Sequence, residues 1–181
     1  MSTEEKMTAQ NAEGTEELTE ENLNEQRKIR REKLKKLQEA GRNPFVNETW
    51  DVDAYSESIK NDFDAMDGKE VSIAGRMMAT RGMGKASFID IQDKEGRIQC
   101  HVKKDVLGEE EYNWFKTYDI GDILGIEGKV FKTKRGEITI EVEKMVLLSK
   151  SLQVLPDKWH GLKDTDLRYR QRYVDLIVNP E

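Results

Sequence analysis

From Val71 onward, large apolar residues recur at every second position, and this alternation constrains the fold more than any other feature of the chain. A period of two is typical of a β-strand with one buried face, because successive side chains of a strand point to opposite sides. The alternation returns in five runs between residues 69 and 148. Their inward positions are Val71, Ile73, Gly75 and Met77; Ile89 and Ile91; Ile98, Cys100 and Val102; Leu124, Ile126 and Val130; and Ile138, Ile140 and Val142. The sequence therefore predicts five strands.

An aromatic-rich segment over residues 109–118 separates the third run from the fourth and predicts a short helix that closes one end of a barrel. Three strands, a helix and two strands is the order of the OB fold, a five-stranded barrel that binds oligonucleotides. We therefore predict a mainly β protein with an OB barrel over residues 69–148, preceded by an N-terminal helix. Gly75 and Gly128 are the expected bulge positions. A small β-sandwich is less favoured, because the single helix falls in the OB position.

Phe88 has the parity of the polar positions in its strand, so the pleat that buries Ile89 and Ile91 points this ring outward. On the same outer face we expect Arg76 and Met78 from the first strand, and Arg97, Gln99 and His101 from the third. A ring beside a guanidinium and a carboxamide is typical of an OB surface that stacks unpaired bases and hydrogen-bonds to them. From parity alone, Phe88 could equally be covered by the N-terminal helix or by another domain.

Basic residues in two loops favour the nucleic-acid interpretation. Arg81 and Lys85 are expected in the loop between strands one and two, and Lys132, Lys134 and Arg135 around the turn between strands four and five. These two loops border the ligand groove of an OB fold, so all five are candidates for contacts with the RNA backbone. Phe131 shares outward parity with Lys129 and is either a second aromatic contact or a core residue.

The net charge of −6 by itself argues against a nucleic-acid binder, but the acidic and basic residues lie in separate segments of the chain. Residues 1–25 carry eight Glu against one Lys and are expected to form a disordered acidic tail. Residues 26–42 carry eight Lys and Arg against two Glu and predict a basic amphipathic helix, whose apolar arc holds Ile29, Leu34, Leu37 and Ala40. Its basic face is equally compatible with solvation and with RNA contact. Residues 43–68 are expected to be an acidic connector.

Several functional classes lack their sequence signatures. A single cysteine, Cys100, and two widely separated histidines give no disulfide and no expected metal site. The segment around Lys85 fails as a phosphate-binding loop, since Ala79 and Ala86 replace the required Gly and Ser or Thr. No catalytic residues are expected. No apolar run reaches membrane-spanning length and no signal peptide is evident, so we expect a cytoplasmic protein.

Three ordered blocks carry a family resemblance: GRMMATRGMGKASFIDIQDKEGRIQCHV, GDILGIEGKVFKTKRGEITI and LPDKWHGLKDTDLRYRQRYVDLIVNPE. Together they resemble the N-terminal, anticodon-binding region of class II lysyl-tRNA synthetases over residues 26–181. The aspartyl and asparaginyl enzymes are similar in the barrel and in the RYVDLI segment, whereas LPDKWHGL, RYRQRYVDLI and the FKTKRGE turn favour lysine.

The resemblance implies a barrel that reads the anticodon of lysine tRNA, with Phe88 stacking on the central uridine, Arg76 and Gln99 hydrogen-bonding to bases, and Glu137 reaching a neighbouring base. It further implies that residues 149–181 are a linker and the truncated start of the catalytic domain, at the entry to its first motif. The full-length enzyme would use ATP and Mg2+ and form a homodimer. Residues 1–181 alone are expected to be inactive, to need no cofactor, and to be monomeric or weakly dimeric. The alternatives are a non-specific single-strand-binding module, an aspartyl- or asparaginyl-type anticodon domain, or a protein-docking role for the two charged N-terminal blocks.

Overall fold

The computed structural model describes residues 20–46, 49–155, 170 and 172–178. The acidic tail expected over residues 1–25 lies mostly outside this part of the chain, and so does much of the expected linker over 149–181. The helices are α1 (Glu20–Glu39), α2 (Ser56–Asn61), α3 (Phe63–Met66), α4 (Lys104–Leu107), α5 (Glu109–Phe115) and α6 (Arg172–Val178), with a 3-10 turn at Pro44–Val46. The strands are β1 (Glu70–Met83), β2 (Ala86–Gln92), β3 (Arg97–Lys103), β4 (Ile123–Lys132) and β5 (Ile138–Ser149).

The five strands close into a barrel in the order β1-β2-β3-β5-β4. All neighbouring pairs are antiparallel except β3 and β5, which run parallel and bring Gln99 beside Thr139. The helices α4 and α5 lie between β3 and β4 in the chain, as the OB order requires. The prediction of a five-stranded OB barrel with an N-terminal helix is confirmed.

The alternating apolar residues fill the barrel, since Ile73, Met77, Ile89, Ile98 and Ile126 are all at most 1% exposed. Tyr112 and Phe115 of α5 belong to the same buried cluster, and Ile59 of α2 joins it with no exposed surface. The barrel core is therefore closed by helical side chains as well as by the strands.

Two irregularities bend the strands enough to close the barrel. Gly75 lies where β1 passes from β4 to β2, and a side chain there would collide with the backbone carbonyl of Gln92. A register shift follows at Met78, between the pairs Met77 with Ile91 and Ala79 with Asp90. Met78 lies in the bulge and is only 4% exposed, but it does not belong to the buried cluster that fills the barrel. Gly128 also borders a register shift, as predicted.

Gly75→Ala is expected to lower the free energy of unfolding by at least about 1 kcal/mol, because the new methyl group meets backbone that cannot rotate away. Chemical denaturation measures the change. Gly82→Ala is the matched control in the same strand, since its methyl group would come no closer than 3.8 Å to the Ser87 hydroxyl oxygen. Equal stability of the two variants would contradict this account of the bend.

The connector between α1 and β1 is anchored on the turn that joins β2 to β3. Ser56 donates its backbone N–H and its hydroxyl to the two carboxylate oxygens of Asp93, each at 2.7 Å. Ser58 donates its backbone N–H and its hydroxyl to a single carboxylate oxygen of Glu95, at 3.1 and 2.7 Å. These hydrogen bonds hold α2 over the barrel end that Ile59 fills.

Helix α1 begins at Glu20, six residues before the expected start, and docks through a face that differs from the expected apolar arc. Leu37 is buried, but Ile29 is 37% exposed and Arg30 is buried in its place. The Arg30 guanidinium donates to the backbone carbonyls of Ile120, Ser151 and Gln153 at 3.0–3.2 Å. A charged residue can occupy the buried face because one terminal nitrogen of its guanidinium donates to these carbonyls, although its Nε is buried without a hydrogen-bond partner among the described residues.

A buried ion network lies beneath α1. The Lys150 ammonium is fully enclosed and contacts carboxylate oxygens of Asp122 at 2.8 Å and Asp119 at 2.6 Å, and Lys33 of α1 reaches Asp119 at 2.8 Å. Asp122 is itself fully buried and also accepts the backbone N–H groups of Asp119 and Ser151. The network joins α1, the segment before β4 and the end of β5. Within the described residues, no helix combines the length and apolar character needed to cross a membrane.

Candidate nucleic-acid interface

The outer face of β2 and β3 carries the ring that the sequence analysis singled out. In β2 the side chains alternate between buried and half-buried, and Phe88 is one of the half-buried, outward residues. Phe88 pairs directly with His101 of β3, and the two rings stack with centroids 4.3 Å apart and planes 7° apart. One face of Phe88 is therefore covered by the imidazole, and the other is directed towards β1.

Phe131 of β4 extends this surface. Its ring lies 6.3 Å from that of His101, tilted by 43°. The preceding residue, Val130, is fully buried, so the side chain of Phe131 points outward. Phe131 is therefore part of the outer surface and is not a core residue. Phe88, His101 and Phe131 form a continuous aromatic row on the outside of the barrel.

The residue opposite Phe88 on β1 is Arg81. We expected Arg81 in the loop, but it lies within β1, because the strand continues to Met83. Its guanidinium donates to both carboxylate oxygens of Asp90, at 3.3 and 3.2 Å, and to the Gln99 side-chain oxygen at 3.1 Å. The bulge at Met78 causes this arrangement, since it reverses the parity of every later residue in β1.

Gln99 is held from two sides. Its side-chain oxygen accepts from Arg81, and its side-chain nitrogen donates to the hydroxyl of Thr139 at 3.1 Å. Thr139 in turn donates to the backbone carbonyl of Glu137 at 3.2 Å. A chain of hydrogen bonds therefore runs from Asp90 of β2 through the side chains of Arg81, Gln99 and Thr139. It ends at the backbone carbonyl of Glu137, in the turn between β4 and β5.

Arg76 lies on the outer face but at a distance from Phe88. It pairs with Gln92, four residues along β2 from Phe88, which places it roughly 13 Å away. One of its terminal nitrogens donates to the Gly121 carbonyl at 2.7 Å. Burial lowers the pKa of the Arg76 guanidinium, although the nearby Asp122 opposes this effect. Arg76 thus contacts the segment before β4, and the guanidinium next to the ring is that of Arg81.

The remaining predicted positions lie on two turns. Lys85 is in the tight turn between β1 and β2, and Lys134, Arg135 and Glu137 are exposed in the turn between β4 and β5. Lys132 ends β4, where its ammonium lies 4.5 Å from the centre of the Phe63 ring at the barrel end. Lys132 therefore covers an aromatic ring of the connector, while the other four residues extend from the loops.

Cations on the strands are mostly paired, whereas cations in the turns are not. Lys103 contacts Glu141 at 2.8 Å, and Arg81 contacts Asp90. Lys85, Lys134 and Arg135 take part in no ion pair with any residue that the structure describes. The ion pairs hold the strand cations in fixed orientations, whereas the exposed cations of the turns carry charge that no described carboxylate neutralises.

Burial lowers the pKa of His101, and the neighbouring Lys103 lowers it further, which outweighs the opposing effect of Glu141. The imidazole is therefore neutral at pH 7 and stacks on Phe88 as an uncharged ring. Burial also raises the pKa of the Cys100 thiol, which lies inside the barrel. In the described part of the chain, no three His, Cys, Asp or Glu side chains come together in a way that could hold a metal ion.

Comparison with known proteins identifies the barrel. Residues 71–148 match the tRNA anticodon family model, described as an OB-fold nucleic acid binding domain. The barrel is an OB-fold anticodon-binding domain. The match covers the five strands that carry the aromatic row, so the surface built by Phe88, His101 and Phe131 belongs to the anticodon-binding domain itself.

The anticodon-binding barrel and its flanks are homologous to the N-terminal region of lysine–tRNA ligases. Identity is 58% over 161 residues with the enzyme of Thermoanaerobacter sp. strain X514, which is 89% of this chain and 32% of that relative. With the enzyme of Moorella thermoacetica it is 55% over 153 residues, 84% of this chain and 31% of the relative. With the enzyme of Clostridium perfringens strain 13, identity is 51% over 162 residues, which is 90% of this chain and 32% of that relative. The chain spans about a third of the length of the curated relatives it matches.

The sequence analysis did not predict how several side chains of this candidate surface contact one another. The role of His101 was indicated by its outward parity opposite Phe88, but the stacking depends on the strand register. Arg81 was assigned to a loop because no residue signals the bulge at Met78. Asp90 and Thr139 were not singled out, since their hydrogen bonds depend on the β1–β2 register and on the parallel pairing of β3 with β5.

Proposed function

We propose that this barrel binds the anticodon loop of a lysine tRNA as the recognition domain of a lysine–tRNA ligase. The observation that carries the proposal is the outward ring of Phe88, backed by His101, with the donors and acceptors of Arg81 and Gln99 beside it. Aromatic rings on OB barrels stack on unpaired bases, and oriented polar groups next to them give sequence preference.

The stacked geometry determines how a base would enter. His101 covers the face of Phe88 that is turned to β3, so the incoming base takes the face turned to β1. On that side lies Arg81, whose guanidinium is held by Asp90 and Gln99. The base edge would then meet the amide of Gln99. This arrangement fits the central anticodon uridine, which offers one N–H donor and two carbonyl acceptors.

More distant residues would contact the nucleotides on either side. We propose that Arg76 donates to a base or phosphate further along the face, from nitrogens that the Gly121 carbonyl does not use. Glu137, exposed at the end of the Thr139 hydrogen-bond chain, would accept from a neighbouring base. Lys85, Lys134 and Arg135, with Lys132 beside them, would neutralise phosphates of the loop.

The activity of the whole protein is part of the same proposal. Its homologues are lysine–tRNA ligases, so we propose that this barrel serves ATP-dependent, Mg2+-requiring attachment of lysine to tRNA in the cytoplasm, by an enzyme that forms homodimers. The described residues form no metal-holding cluster, and the barrel contributes recognition of the tRNA alone.

A fluorescence anisotropy titration of the 181-residue protein tests the proposal. An RNA hairpin with the lysine anticodon in its loop should bind more tightly, by roughly fivefold or more, than the same hairpin with its central uridine changed to cytidine. Equal affinity for both hairpins would overturn the specificity. Similar affinity for single-stranded pyrimidine DNA, with a salt dependence that accounts for nearly all of the binding, would indicate a non-specific module instead.

A further inference from the structure

Thr139 is buried on β5 beside Gln99, and its hydroxyl is the only group of its side chain that can hydrogen-bond. The Thr139 hydroxyl oxygen lies 3.1 Å from the Gln99 side-chain nitrogen and 3.2 Å from the Glu137 carbonyl oxygen. Thr139 has no exposed surface, so any influence on a bound base must pass through Gln99.

The proton positions in this chain are determined by elementary valence. The Glu137 backbone carbonyl accepts the Thr133 backbone N–H at 2.9 Å and, with its second lone pair, the hydroxyl proton of Thr139 at 3.2 Å. The hydroxyl oxygen must then accept, and the group facing it on Gln99 is therefore the amide nitrogen. At the other end, Arg81 can only donate, so the group facing it is the amide oxygen. Arg81 therefore selects the orientation of the Gln99 amide, and the Thr139 hydroxyl stabilises it from the other end by accepting from the amide nitrogen.

We propose that Thr139 is a positioning residue that locks the Gln99 amide in this orientation, and that the lock allows the barrel to distinguish uracil from cytosine at the central anticodon position. This inference rests on the proposed function. It assigns the pyrimidine specificity to a buried hydroxyl that cannot touch the RNA.

The chemistry of the two pyrimidines explains why orientation matters. Uracil presents an N–H donor at N3 next to a carbonyl acceptor at O4, whereas cytosine presents an acceptor at N3 next to an amino donor at N4. The Gln99 amide retains one oxygen lone pair and one N–H beyond those used by Arg81 and Thr139. With the base ring held on Phe88, one orientation of the amide matches uracil and the flipped orientation matches cytosine. An amide that is free to flip would accept both.

Thr139→Val tests the lock, because valine has the shape of threonine without the hydroxyl. Dissociation constants are measured by anisotropy for the uridine and cytidine hairpins. In the wild type, the cytidine hairpin should bind more weakly. In Thr139→Val, the ratio of the two constants should fall towards one, mainly because the cytidine hairpin binds more tightly.

Thr139→Ser is the matched control, since it restores the hydroxyl and should restore the ratio. An unchanged ratio in Thr139→Val would overturn the inference and leave the proposed function standing. Equal binding of both hairpins by the wild type would overturn both. Loss of all binding by a Thr139→Val protein that retains its folded circular dichroism spectrum would also overturn the inference, because a lock alone does not supply affinity.

Hydrogen exchange of side-chain amides in the wild type keeps the inference testable if Thr139→Val does not fold. The Gln99 side-chain amide should exchange more slowly than that of Gln38, which is exposed on α1. Equal exchange rates for the two amides would show that Gln99 is not held, and would overturn the lock.

Discussion

Replacing Lys150 with methionine is expected to lower the free energy of unfolding by about 3–5 kcal/mol. The Lys150 ammonium is fully buried between Asp122 and Asp119, at 2.8 and 2.6 Å, and Asp122 is fully buried as well. Methionine has a similar shape, so the loss comes from leaving a carboxylate enclosed without its cation. Urea denaturation followed by circular dichroism measures the change.

Lys144→Met is the matched control, because Lys144 forms an ion pair of 3.5 Å with Glu127 while both side chains are largely exposed. It should change stability by no more than about 1 kcal/mol. Similar losses for the two variants would show that burial of the Lys150 network does not govern its contribution.

The same network gives stability a dependence on pH. Burial would raise the pKa of Asp119, but hydrogen bonds from Lys150 and Lys33 outweigh this effect and lower it below its ordinary value. A carboxyl whose pKa is lower in the folded state stabilises the fold above its unfolded pKa of about 3.9, and this stabilisation is lost as the pH falls further. Lys150→Met should therefore reduce the loss of stability as the pH falls below about 4.

Phe88→Ala is expected to weaken binding of the lysine anticodon hairpin by about 1–3 kcal/mol, or roughly 5- to 150-fold. The ring offers its β1-facing side to the base while His101 supports the other side, so its removal takes away the whole stacking surface at this position. The barrel should remain folded, because Phe88 lies outside the buried cluster. Anisotropy titration and thermal unfolding are measured on the same protein.

Phe45→Ala is the control for the loss of an exposed aromatic ring. Phe45 is 51% exposed in the 3-10 turn at the start of the connector, outside the aromatic row, and its removal should leave hairpin affinity unchanged. If Phe88→Ala unfolds the domain, the ring is a core residue. If it binds the hairpin as tightly as the wild type, the base does not stack there.

The sequence was sufficient to predict which side of its strand each residue faces, because the alternation of side chains is a local property of an extended chain. Inward isoleucines specified that Phe88 points outward, and the helix between the third and fourth strands specified the OB order. Both predictions needed only the chemistry of adjacent residues and the period of an extended chain. The amino-acid sequence alone therefore predicts the aromatic ring on which the proposed function depends.

The neighbours of that ring were decided by tertiary structure. The bulge at Met78 shifts the register of β1, so Arg81 replaces Arg76 opposite Phe88. The parallel pairing of β3 with β5 brings Thr139 to Gln99 from 40 residues away. Barrel closure likewise encloses Lys150 with Asp122 and brings the backbone carbonyl of Ser151 to Arg30. Alternation determines which side of a strand a residue occupies, but the residue it meets there depends on register, and register is set by the closure of the whole barrel.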